Sequence, residues 1–185
     1  MQRLGGLSWV RHKTAHSIKE TKMGVLTQLE RIEQAHKNGK TWRLPIDAID
    51  PNAIDDIVAY TRNVSSRKFE VYGLDLMVEG ATGQVRLVRG TGPPTGGGAV
   101  VVPVNDNGSN VVPGVSDLTF ETDPDITNIV ETFITGYSLL QDTSLSVKFP
   151  VGMRMIDGGG IGLAMSIATS ILSGAILLME APEDN

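Results

Sequence analysis

Apolar residues change their spacing near Ser65-Ser66, and the change divides the chain. From Ile18 onward they recur at Met23, Val25, Leu26, Leu29, Ile32 and Ala35 with charged residues between them, the period of an amphipathic helix. Ser17 with Glu20 three residues on has the form of a capping box, and Asn38-Gly39 is a C-terminal stop, so the pattern predicts a helix over 17–38. Asp50-Pro51 offers a cap followed by proline at the first helical position. Ile54, Ile57 and Val58 would form the stripe of a second helix running to about Asn63. Residues 1–15 read as an extended arm.

From Arg67 the period becomes two. Tyr72, Leu74, Leu76 and Val78 alternate with Gly73, Asp75 and Met77, and Val85 and Leu87 follow a turn at 80–83. Leu145, Val147 and Phe149 alternate with Ser146 and Lys148 as a half-buried strand does. Further strands fit 99–104, 117–122, 129–139, 153–156, 161–168 and 174–180. About eight short strands separated by turn residues predict a mainly β fold. The expectation is a jelly-roll-like antiparallel β-sandwich, residues 66–185, preceded by a basic N-terminal arm and two helices, residues 1–65. Residues 158–179 carry no charge and are long enough for a bilayer. Their glycines and the alternation of Ile161, Leu163, Met165 and Ile167 read instead as a hairpin buried in the β-core, and no membrane partner is expected.

Charge sharpens the division. Residues 1–43 hold nine Lys/Arg against Glu20, Glu30 and Glu33, a net +6, while the rest holds seven basic and eighteen acidic side chains, a net −11. A basic arm on an acidic body suits an anionic partner: nucleic acid, an anionic membrane or an acidic protein surface, including a neighbouring copy. Aromatic residues make up only 5%, which argues against a base-stacking surface and so against a nucleic-acid partner. There is no cysteine, which removes disulfides, thiolate metal sites and thiol catalysis.

The run from Gly90 to Gly114 is rich in Gly, Pro and Asn around the apolar stretch Ala99 to Val102. It carries no nucleophile and no histidine, and its single carboxylate is Asp106, so it points away from catalysis and toward a β-scaffold that presents long loops. Other constellations have plain readings. His12 and His16 stand four apart, as helical metal ligands do, but a third ligand is missing beyond Glu20, and solvated histidines in a basic arm are the simpler account. Gly96-Gly97-Gly98 and Gly158-Gly159-Gly160 lack the Lys-Ser/Thr of a phosphate loop and read as turns. Glu121, Asp123 and Asp125 could hold calcium, yet the twelve-residue loop pattern is absent and a solvated turn at Asp123-Pro124 fits better. Neither a Ser–His–Asp site nor a nucleophile elbow is present, so no catalytic residue, cofactor or metal is expected. Trp42 is expected between the helices and the β-body, and Trp9 at an interface.

Two stretches carry a family likeness: FEVYGLDLMVEGATGQVRLVRGTGPPTGGGAVVVPVNDNGSN, a hairpin leading to a turn-strand-turn, and SLSVKFPVGMRMIDGGGIGLAMSI, an edge, a turn and a buried strand, with GAILLMEAPED as a closing strand. On these residues the segment 68–182 resembles small bacteriophage virion proteins with a jelly-roll fold, of the capsid-decoration (cement) and head-fibre type. The resemblance implies a protein on the outer surface of the virion, often trimeric, that binds the major capsid protein and bridges capsomers. Arg3, Trp9, Arg11 and Lys13 of the arm would then contact neighbours. The alternative is a receptor- or carbohydrate-binding jelly-roll module of a head or tail fibre.

Overall fold

The structure, a computed structural model, describes residues 28–94, 99–127 and 129–181. One helix, α1 (28–37), precedes eleven strands: β1 (Thr41–Ile49), β2 (Ile57–Asn63), β3 (Phe69–Gly80), β4 (Gly83–Thr91), β5 (Ala99–Val100), β6 (Val104–Asn105), β7 (Leu118–Ile126), β8 (Val130–Leu139), β9 (Thr143–Met155), β10 (Gly159–Met165) and β11 (Ser170–Glu180). They form two antiparallel sheets packed as a sandwich. Sheet A has the order β6-β1-β11-β3-β9 and sheet B the order β5-β7-β2-β10-β4-β8. The main core lies between the sheets and contains Trp42, Leu44, Phe69, Val71, Leu74, Leu87, Phe120, Ile161, Leu163 and Ile176, all essentially inaccessible to water.

The antiparallel sandwich follows the sequence expectation, but only one helix is found among the described residues, not two. The segment from Asp50 to Asn63 is a bend followed by β2. Asp50-Pro51 does not open a helix, because Asp55 sits at φ 71° and its N–H bonds the Met165 carbonyl at 2.7 Å, while the Asn52 N–H bonds the Pro124 carbonyl at 3.2 Å. Ile57 to Thr61 are then buried on both faces between β7 and β10. The β-branched Ile57, Val58 and Thr61 suit that pleated, fully covered position better than a helix. Thr41–Ile49, also ahead of the period change, forms β1 and pairs with β11 from Thr41↔Met179 to Ile49↔Leu172. Pro45 is tolerated there because β6 covers only Trp42 and Arg43, leaving the rest of β1 as an edge. The expected 99–104 strand divides into β5 and β6, which join different sheets. The expected strand at 153–156 is the end of β9. β10 and β11 are not a hairpin but pass from sheet B to sheet A through residues 166–169.

Both outer faces are partly covered. On sheet A, Ile32 and Ala35 of α1 pack on Tyr72, Leu177 and Met179. Buried Glu70 adds an ion pair to Arg31 at 2.8 Å and a second to Arg154 at 3.3 Å. The helix stops where expected: Gly39 adopts φ 69° and the Lys40 N–H bonds the Ala35 carbonyl. On sheet B, Ile129 in the β7–β8 connection lies on Ile57, Tyr60, Val88, Ile126 and Ala164.

Tyr72 is where the expected alternation slips. Val71 pairs with Leu178 and Gly73 with Leu177, with the register shifted between them. Val71, Leu74, Leu76 and Val78 therefore face the inter-sheet core, while Tyr72 turns outward under the helix. Gly73 has no room for a side chain, since a Cβ would stand 2.6 Å from the Val147 carbonyl oxygen. Trp42 is likewise placed differently from the expectation: it lies inside the sandwich, edge-on to Phe69 at 6.2 Å between ring centroids, not between helix and body.

Gly174, within β11, has φ 133° and lies against the Asp75 carbonyl, with Leu76 Cα 2.8 Å from where a Cβ would be. Gly174→Ala should cost on the order of 2–4 kcal/mol. Differential scanning calorimetry should show this as a Tm lower by roughly 5–15 °C. An unchanged Tm would contradict the packing of β11 on β3.

Candidate interaction surfaces

The long connection between β4 and β8 builds most of one flank of the sandwich, and its polar side chains fold it onto the body. Asn105 Nδ2 donates to the Gly39 carbonyl at 2.7 Å and to the Val111 carbonyl at 3.0 Å. Asn107 Nδ2 donates to the His36 carbonyl at 2.7 Å. The backbone N–H groups of Asn107, Ser109 and Val111 bond side-chain oxygens two residues earlier, a run of Asx and Ser turns. Trp42 Nε1 reaches from the core to donate to the Val111 carbonyl at 2.8 Å. The side-chain amides of Asn105 and Asn107 are thus engaged in holding the connection to the end of α1 and to β1.

What this connection presents outward is valine. Val100, Val102, Val104, Val111 and Val115 are each more than half exposed. Residues 99–126 around them contain Asp106, Asp117, Glu121, Asp123 and Asp125 and no Lys or Arg. The expected solvated turn at Asp123-Pro124 is instead part of β7, where Asp125 N–H bonds the Asp123 carboxylate at 2.9 Å and the pairing with β2 is irregular. Burial, and then the Asp123 charge, push the Glu121 carboxyl above its ordinary value. Among the described residues no cluster of three or more His, Asp or Glu side chains could hold a metal ion.

The opposite flank is formed by the free edges of β8 and β9, which meet across the sandwich. Residues 130–134 of β8 are all exposed, with Val130 at 76% and Phe133 at 58%. Val151 of β9 and Ile156 just beyond it are 74% and 71% exposed. Among the described residues no other strand covers these side chains. The sequence offered one sign of them: Val130, Phe133 and Ile134 do not keep the strict alternation of a half-buried strand.

Between the flanks, on the outer face of sheet A, a polar cluster joins four elements. Tyr72 Oη donates to Asp106 Oδ2 at 3.1 Å, and Arg43 Nε donates to Asp106 Oδ1 at 2.7 Å. Ser146 Oγ donates to Asp75 at 2.6 Å, and the Lys148 ammonium stands 5.3 Å from the Tyr72 ring centre. The cluster can pin β6 to β1, β3 and β9, but it places no nucleophile beside a base. Chemically it is a clamp.

No family model, curated protein or solved structure matches this chain. The arm residues Arg3, Trp9, Arg11 and Lys13, and the pair His12 and His16, lie outside the described residues, as does Gly96-Gly97-Gly98. Gly158 is a turn residue at φ 76°, and Gly159 and Gly160 begin β10. The uncharged run 158–179 forms β10 and most of β11, and no described helix is long and apolar enough to cross a membrane.

Burial first, then the charge of Asp106 and its hydrogen bond, raise the Tyr72 hydroxyl well above the ordinary tyrosine value, with Arg43 opposing. A raised folded value favours the neutral phenol in the native state. Its contribution is complete below the unfolded value near 10 and is lost as pH rises toward the folded one. Wild-type stability should therefore fall above about pH 10, and Tyr72→Phe should fall less. Tyr60 and Tyr137, also raised by burial, keep some of the decline in the variant. Urea titrations at neutral and alkaline pH test this, and parallel curves for the two proteins would rule it out.

Proposed function

We propose that this chain is a virion structural protein with a jelly-roll body, of the capsid-decoration type, that binds the major capsid protein on the virion surface and bridges capsomers. The observation that carries the reading is strand order. β1-β11-β3-β9 in one sheet faces β2-β10-β4-β8 in the other, and each of the first four strands crosses to the sheet opposite its predecessor. This order of eight strands supports the jelly-roll reading, with β5, β6 and β7 as additions from the β4–β8 connection. The flank chemistry supports a joining role: exposed valines on one side, exposed Phe133, Val130 and Val151 on the other, and polar groups between them used as clamps. Many modest contacts repeated over a lattice give avidity that no single contact supplies.

The basic segment ahead of α1, with five Lys/Arg against Glu20 over residues 1–27, a net +4, is the second means of attachment, engaging an acidic shell through Arg3, Arg11 and Lys13 with Trp9 as the apolar anchor. The resemblance implies a trimer. Carbohydrate recognition is the weaker reading, because Asn105 and Asn107 already bond the protein's own backbone.

Deleting residues 1–16 should abolish sedimentation with matching capsids while circular dichroism shows the β-body unchanged. Equal capsid binding by the truncated chain would remove the arm from the account, and no binding by the full chain would remove the decoration role. Negative-stain microscopy of the purified chain separates the related possibility: closed shells formed without a second protein would make it a shell-building subunit.

A further inference from the structure

The two apolar flanks differ in charge, and the difference names an occupant. The β5–β7 flank, residues 99–126, has five carboxylates and no cation of its own; Arg43 pairs with Asp106 and Arg67 with Asp117, which leaves Glu121, Asp123 and Asp125 as its acidic group. Strands β8 and β9 carry one acid, Glu131, and two bases, Lys148 and Arg154. Arg89 on neighbouring β4 is exposed and has no ion pair among the described residues. The described body, residues 28–181, holds eleven basic and eighteen acidic side chains, a net −7, so two bodies approaching through acidic faces repel each other. The β8–β9 flank, whose strands carry one acid against two bases, repels such a body less than the β5–β7 flank does.

We propose that the β8–β9 flank of one copy docks on the valine-studded β5–β7 flank of a second copy, a head-to-tail contact. A symmetric contact between two β8–β9 flanks would leave the valines of both copies in water, whereas a head-to-tail contact covers a different flank on each partner and can repeat. The contact is small: a ten-residue strand is about 30 Å long and the two sheets are about 10 Å apart, so the strip is on the order of 300 Å², below the ~800 Å² per partner of a standard interface, and it suits a weak contact repeated many times. Neither edge is suited to continuing a sheet by backbone pairing alone. β8 has a register shift at Ile134, and β9 has Pro150 inside a wide bulge between Lys148 and Met153. Side-chain packing of Phe133 and Val130 against valines therefore carries the contact, with carboxylates at the rim facing Arg89.

The absence of cysteine makes the test clean. Full-length Phe133→Cys and Val102→Cys variants, one carrying a size tag, are treated with a short bismaleimide separately and mixed. The mixture should give tagged–untagged dimers at least tenfold above either variant alone, and Phe133→Asp should weaken self-association of the full chain at least tenfold in sedimentation equilibrium with circular dichroism unchanged. Cross-linking of Phe133→Cys to itself as efficiently as to Val102→Cys would overturn the head-to-tail arrangement in favour of a symmetric one. A wild-type chain that stays monomeric at 100-fold the concentration of the cross-linking reaction would overturn contact between copies altogether. The contact rests on the reading of the chain as a joining protein, yet it fails separately: capsid binding without Phe133–Val102 linkage removes the contact alone, and linkage without capsid binding removes the decoration role alone.

Discussion

The bulge at Tyr72-Gly73 is the constraint on which the rest of the arrangement turns. One extra residue in β3 lets a single strand serve two layers, with Val71 and Leu74 facing the inter-sheet core and Tyr72 facing outward. The outward ring then becomes the floor on which α1 rests through Ile32 and Ala35. Its hydroxyl takes Asp106, which fixes β6, and β6 in turn positions Asn105 and the hydrogen bonds that hold the long connection to Gly39 and Val111. Helix, connection and both neighbours of β3 are referred to one side chain. Gly73 permits this because it leaves space for β9 to close over the bulge.

Covering both faces of the central strands has a consequence for what remains exposed. Helix α1 and the β7–β8 connection take the two broad faces, so large apolar groups left in water lie mainly at the lateral flanks. A sandwich dressed in this way offers its sides and not its faces to partners. Scattered exposed apolar residues are normal on any protein, but here they gather on two flanks at opposite ends of the sheet order, with few charges among them on one side.

The legible parts of the fold were those with one wet face. The 145–149 alternation is visible because β9 is an edge strand, half-buried in every second residue, and the helix end at Asn38-Gly39 is visible because its stop signal is local. β2 was hidden because burial on both faces erases alternation, and the remaining cue, Asp50-Pro51, is the same dipeptide that opens helices. β1 was hidden by Pro45, which argues against a strand unless the strand is known to be an edge. The phase of β3 could not be read, since a bulge depends on both neighbours and leaves only a glycine as its trace. At the candidate surface, the valines of the connection were in plain sight. The exposure of Phe133 was not, for an aromatic residue in a strand pattern is ordinarily core.

The pairing of β1 with β11 also sets the order of events when the protein is made. Trp42 is matched to Leu178 across more than a hundred intervening residues, and β11 is the bridge between β1 and β3 in sheet A. Until residues 170–180 have left the ribosome, sheet A lacks its central strand and the inner face of β1, with Trp42 and Leu44, has nowhere to close. Cooperative folding is therefore withheld until nearly all of the described chain has been synthesised, and it begins from contacts of high sequence separation, which form slowly. A nascent chain of this kind cannot display a finished flank until its last strand is available.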